Sequence, residues 1–121
     1  MKNNHLKKIY TWAAEPAQRN LTVADLIASK GKKKFTQVTC NSEEEAIASG
    51  IAGIDMMICN ASNVESVRRG NNQIFLTAAM GLPDYPTNSD ILNGAFKALS
   101  LGADAIMTSR SMSIVNMLAN E

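Results

Sequence analysis

Aromatic residues, histidine, cysteine and net charge are all scarce in this sequence, and each scarcity removes a class of chemistry. Only 5% of the 121 residues are aromatic, and the single histidine, His5, sits in a polar start expected to be mobile. It makes a poor base partner for any nucleophile. Two cysteines, Cys40 and Cys59, lie nineteen residues apart with no secretory leader ahead of them, which supports neither a disulfide framework nor a zinc site. Buried, reduced, inert thiols are expected instead. Twelve basic residues against eleven acidic ones leave a net charge of +1. No broad field is available to steer phosphate backbones or acidic lipid, so a nucleic-acid partner is not expected. The one basic cluster, Lys30 to Lys34, lacks interleaved aromatics and reads as a solvated entry into a strand. Apolar runs are short as well. None approaches the roughly 20 residues a membrane span needs, and Met1 to Lys8 carries no apolar core of a leader. A cytoplasmic protein that does not enter membranes is the expectation.

What the chain does have is 45% hydrophobic residues, ample for the core of one domain. Four short apolar runs, 35–39, 56–59, 74–78 and 105–108, are continuous rather than alternating, the pattern of strands in a parallel sheet covered on both faces. Helix signals separate them. Ser42 with Glu45, and Ser62 with Glu65, have capping-box spacing, while Thr87, Ser89 and Asp90 offer a third start. Gly50 or Gly53, then Gly70 and Gly102, follow helical stretches where a left-handed stop is wanted. Ile91, Leu92, Ala95, Phe96, Ala98 and Leu99 form an apolar stripe at helical spacing. A short helix from Thr22 to Ser29 precedes the first strand, and another opens at Ser111. The order αβαβαβαβα fits βα units with right-handed crossovers, as in barrels and doubly wound sheets. A dinucleotide fold is disfavoured, because the first strand runs into Thr39, Cys40, Asn41 and Ser42 with no glycine. Residues 1–20 read as an N-terminal extension, and 21–121 as one α/β domain.

From Leu21 onward the chain resembles the ketopantoate hydroxymethyltransferase family of the phosphoenolpyruvate-binding TIM-barrel superfamily. The resemblance rests on the order of five pieces: Leu21 to Leu26 (LTVADL), Gly31 to Phe35 (GKKKF), Gly53 to Ile58 (GIDMMI), Val67 to Gly70 (VRRG) and Leu101 to Ile106 (LGADAI). It implies the first half of a (β/α)8 barrel, since such barrels commonly run to about 250 residues. It further implies one-carbon transfer to the enolate of a 2-oxo acid, 3-methyl-2-oxobutanoate, in pantothenate biosynthesis, with 5,10-methylenetetrahydrofolate as donor. In that family a magnesium ion polarises the oxo acid, held by carboxylates at the C-terminal ends of successive strands.

At those strand ends the sequence departs from the family pattern. The second strand ends Cys59-Asn60-Ala61 where the family has Gly-Asp-Ser, the third carries Ala78-Ala79 in place of Ala-Asp, and the fourth has Met107-Thr108-Ser109 in place of Lys-x-Glu. Neutral groups thus replace the acidic ligands, and no metal ligand is assigned. The candidate substrate-binding residues are Asn41, Asn60, Ser62, Thr77, Asp84, Ser109 and Arg110. Asn41 and Asn60 suit orientation of a ligand, or else a turn or cap. Asp84 is the one carboxylate in a βα loop, reaching a pocket or shaping a turn. The guanidinium fork of Arg110 suits a carboxylate or phosphate beside the helix that starts at Ser111, with a solvated arginine as the alternative. Asp55 and Asp104 precede their strands, at the end of a barrel that governs stability. The methionines at 56, 57, 80, 107, 112 and 117 read as core packing.

Two functional readings follow: a divergent hydroxymethyltransferase-like enzyme, or a non-catalytic scaffold that binds a small 2-oxo acid, another carboxylate or a phosphate. In either, a half-barrel leaves its first and fourth strands with open edges, so a homo-oligomer is expected.

Overall fold

Three of the apolar runs are bounded by polar turns and lie between good helix formers, and they pair in chain order with the fourth. The computed structural model describes residues 6–81, 83–109 and 111–120. Its main sheet has four parallel strands, β3 (Gln37–Thr39), β4 (Met56–Asn60), β5 (Phe75–Ala79) and β6 (Ala105–Met107), adjacent in that order. Thr39 stands level with Ile58, Ile58 with Thr77, and Thr77 with Ala105. The α/β reading and all four strands stand as expected, each within two residues of its predicted bounds. The helices are α1 (Val23–Ser29), α2 (Glu43–Ala52), α3 (Val64–Gly70), α4 (Asn88–Ser100) and α5 (Met112–Ala119). None is long and apolar enough to cross a membrane among the described residues.

Local chemistry explains most helix ends. Thr22 caps α1 and Thr87 caps α4 in reciprocal boxes with Asp25 and Asp90. The Thr22 backbone N–H donates to Asp25 and holds its carboxyl below the ordinary value. Ser42 accepts from the Glu45 N–H at 3.2 Å, but the Glu45 carboxylate reaches one residue further back, to the Asn41 N–H at 2.6 Å. The Ser62–Glu65 box does not form. Ala61–Asn63 winds a 3-10 turn, and α3 starts at Val64 with no side-chain cap. Gly53 ends α2 in the left-handed region at φ 77°, as its position predicts. Gly70 has a different cause from the expected left-handed stop. It is the last residue of α3, and a Cβ there would overlap the Glu43 carbonyl oxygen and stand 2.9 Å from the Ala46 Cβ. The glycine lets α2 and α3 touch.

The chain before Thr22 departs most from expectation. Instead of a mobile extension, β1 (Lys7–Tyr10) and β2 (Pro16–Arg19) form an antiparallel hairpin. Its weak alternation and the proline at its start hide it from a periodicity reading. At the tip, Trp12 stacks on Phe96 of α4 at 5.7 Å with the rings 6° from parallel. At the base, Arg19 is buried to 3% exposure and donates to both Asp104 oxygens at 2.9 and 3.0 Å, to Asn72 O at 2.7 Å and to Gly102 O at 3.1 Å. Arg68 of α3 reaches the same carboxylate at 2.8 Å, with Gly102 O and Ile74 O at 2.8 and 2.7 Å. Burial, aided by neighbouring Arg19, depresses the Arg68 guanidinium to about 10, while Asp104 works in the opposite direction. The Arg68 guanidinium therefore stays charged at neutral pH. Asp104 also accepts the Leu76 N–H, and Asn20 stitches Asp55, Gln73 and Phe75 together. All of this lies at the N-terminal ends of the strands, and Asp55 there accepts from Thr36.

The two faces of the sheet differ. Side chains alternate along each strand, so Met57, Cys59, Leu76 and Ala78 point to the helices and form the core with Ala46, Val64, Val67 and Ala98. Burying the larger of these side chains stabilises the fold by roughly 1.5–3 kcal/mol apiece. Met56, Ile58, Asn60, Thr77, Ala79 and Met107 project to the opposite face, and all are half-buried or exposed. Met107 and Met112 lie on the surface rather than in the core, because one is on that open face and the other opens the last helix.

Asp104→Asn is expected to cost about 3–5 kcal/mol in urea unfolding, since it leaves two buried guanidiniums without their counter-charge. Gly70→Ala, which forces α2 and α3 apart, is expected to cost about 1–3 kcal/mol by the same measurement.

Candidate functional site

Parallel strands set their C-terminal ends at one edge, and the loops that follow them supply the polar groups gathered there. In barrels this is the end where active sites assemble. Asn41 follows β3, Asn60 ends β4, Gly81 follows Met80 beyond β5, and Thr108 and Ser109 follow β6. Asn60 lies level with Ala79, and Ala79 with Met107.

Asn41 is the best-anchored of these residues. Its side-chain oxygen accepts from the Asn60 backbone N–H at 2.8 Å and from Asn63 Nδ2 at 3.0 Å. Its own N–H goes to Glu45. The carboxamide therefore clasps the end of β3 to the end of β4 and to the 3-10 turn beyond it. Its oxygen is committed to the fold, which favours the cap-like role for this residue. Asn63, which shares the clasp, escapes the sequence reading. Its spacing of three from Asn60 across a tight turn was the available signal.

Asn60 differs, because its backbone N–H is tied down while its side chain is exposed on the open face of the sheet. Thr77 stands on the same face two residues below the rim, half-buried between the Ile58 and Ala105 positions. Ser62 is exposed in the 3-10 turn and Ser109 is exposed beyond β6. Asp84 is exposed in a turn whose Asp84 and Tyr85 N–H groups both donate to Gly81 O at 3.2 Å. That geometry assigns the segment a turn role. Arg110 lies outside the described residues. The structure thus joins Asn41 and Asn60 directly and puts Thr77 on the face of Asn60, while Ser62, Asp84 and Ser109 stand on separate loops.

No group of three or more histidine, cysteine, aspartate or glutamate side chains converges among the described residues. Magnesium favours a near-octahedral shell with one or two carboxylates. Asn60, Thr77, Ala79 and Ser109 offer at most neutral oxygens, so the rim does not fit that ion.

A cavity of about 580 Å³ lies beside the rim between α4, α5 and β6, lined mainly by apolar side chains such as Phe96, Leu99, Ile106 and Leu118, with Trp12 and Thr108 contributing polar groups. Such a lining suits an apolar group and supplies little to orient a polar one. The thiols offer no nucleophile. Cys40 and Cys59 are buried and unbridged. Burial raises both, Cys59 to about 11 with Cys40 adding to the effect.

No protein-family model and no curated protein matches the chain.

Neither thiol is expected to react with Ellman's reagent at pH 8 in the folded protein, and both should react once it is unfolded in urea. Protons are held more tightly by these thiols when folded. Their contribution to stability is therefore complete below the ordinary value of 9.0 and is lost as pH rises towards about 11, which alkaline urea titration measures.

Proposed function

We propose that this chain is a divergent relative of the ketopantoate hydroxymethyltransferases, built as the first four βα units of a (β/α)8 barrel. In this reading its strand-end rim binds a small 2-oxo acid, or a similar carboxylate, through neutral hydrogen-bond donors. Support for the kinship comes from the ordered pieces around Leu21, Gly31, Gly53, Val67 and Leu101. Four adjacent parallel strands, each followed by a helix, are compatible with half of an α/β barrel.

The observation that carries the functional part is the position of Asn60. It ends β4 on the open face, where the resemblance would place an acidic magnesium ligand, and its exposed carboxamide can donate to a carboxylate oxygen. The Thr77 hydroxyl, on the same face, supplies a second neutral donor. With Ala79 in the next strand and no acidic cluster at the rim among the described residues, the rim offers little charge to hold a dehydrated divalent ion. Binding without metal is the better-supported activity. One-carbon transfer is the second reading, and the ordered motifs favour it.

Calorimetry of the 121-residue protein with 3-methyl-2-oxobutanoate, with and without magnesium, separates the two readings. The expected result is binding in the millimolar range, worth about 4 kcal/mol, unchanged by the metal and weakened about tenfold in Asn60→Ala. Strict metal dependence, or turnover when 5,10-methylenetetrahydrofolate is added, would establish the transferase reading instead. No binding under either condition would end both.

A further inference from the structure

We infer that Cys40 and Cys59 together form a two-coordinate site for a soft monovalent cation, Cu(I), in the core between the sheet and the helices that cover it. The inference goes beyond the binding role proposed above and does not depend on the kinship.

The sheet sets the two thiols side by side. Thr39 of β3 stands level with Ile58 of β4, and the ladder runs one step further, because the Cys40 N–H donates to the Ile58 carbonyl at 3.0 Å. Cys40 and Cys59 are therefore the next level pair. Level residues on adjacent parallel strands project to the same face, and both cysteines belong to the core under the helices, each 1% exposed. They are close enough for Cys40 to act electrostatically on Cys59. Neighbouring strands lie about 4.7–4.9 Å apart. A metal–thiolate bond of about 2.3 Å, the length found for zinc, puts two sulfurs on opposite sides of one ion about 4.6 Å apart. Strand spacing thus matches the span of a linear sulfur–metal–sulfur unit.

The surroundings select the ion. No third histidine, cysteine, aspartate or glutamate converges on the pair among the described residues, whereas structural zinc takes four ligands. The Ser49 hydroxyl beside Cys40 is spent on the Glu45 carbonyl at 2.8 Å. Hard cations therefore find no oxygen shell. Paired thiolates favour Cu(I), and Met57, two residues before Cys59 on the same face and 0% exposed, adds a soft thioether to the lining.

Charge supplies a second, independent indication. One Cu(I) displaces two thiol protons to solvent, leaving a bis-thiolate complex of net charge −1. An uncompensated anion in the core would be costly. Arg68 provides the counter-charge, since its guanidinium favours the thiolate form of both cysteines. With Arg19 it shares the single carboxylate of Asp104, so that cluster holds one positive charge in excess. Glu45 opposes the effect at Cys40, although its carboxylate is held by the Asn41 N–H.

The test is to refold the full chain from urea without oxygen in the presence of Cu(I) bicinchoninate, so that both thiols are accessible before the sheet closes. One ion per chain is expected to transfer from the chelator, with sulfur neighbours in X-ray absorption. The urea midpoint should rise, because the native sheet holds together two thiols that the unfolded chain leaves apart. Cys40→Ser and Cys59→Ser should each weaken binding by at least the roughly 100-fold that disturbing an outer-shell partner already costs. Cys40→Ala and Cys59→Ala, which keep an apolar side chain in the core, should show the same loss if serine prevents folding. Absence of transfer, binding that survives removal of either thiol, a urea midpoint lowered by Cu(I), or zinc held as tightly as copper would overturn the inference.

Discussion

One carboxylate serving two buried guanidiniums holds this fold together at its base. Asp104 stands just before β6, Arg68 comes from α3 and Arg19 from the end of the hairpin, so three distant stretches of chain converge on two oxygens. Buried ions are costly to desolvate, and such a cluster is tolerated only when the remaining donors find acceptors. Here they do. The carbonyls of Gly102, Asn72 and Ile74 take the other N–H groups, and no buried side-chain polar atom is left without a partner among the described residues. The left-handed turn at Gly102, φ 114°, presents its carbonyl to both arginines. The excess positive charge is spread over backbone dipoles rather than matched by a second acid.

That arrangement divides the molecule into a rigid end and an end with spare polar groups. At the N-terminal ends of the strands, Asp104, Asp55 and Asn20 spend their hydrogen bonds on neighbouring loops. At the C-terminal ends the Asn41 clasp is comparably committed, while Asn60 remains exposed. Fixing one end while leaving donors at the other is how parallel α/β folds separate stability from binding.

The legible parts of the sequence were those governed by local chemistry. Continuous apolar runs marked β4, β5 and β6, whose alternate residues Met57, Cys59, Leu76 and Ala78 pack under the helices, and Thr87 with Asp90 marked the start of α4 through a contact three residues long. Properties set by distant partners stayed hidden. Nothing near Arg19 announces that it will be buried, since its acid lies 85 positions away. Gly70 looked like a stop signal because the carbonyl of Glu43 that requires it belongs to another helix. Asn41 and Asn60 were picked out by their places at strand ends, but only coordinates separate the one that is a clasp from the one that is exposed.

The shared carboxylate also makes the hairpin detachable in a particular sense. Arg68 is anchored on α3 and keeps Asp104 neutralised on its own, so lifting Lys7 to Arg19 away exposes Arg19 to water without stranding a bare anion beneath it. Main-chain bonding from the hairpin to the rest of the protein runs mainly through Asn20, at its very end. The first strand pair can therefore open as a unit at lower cost than the sheet it covers, uncovering Phe75 while the four parallel strands stay paired.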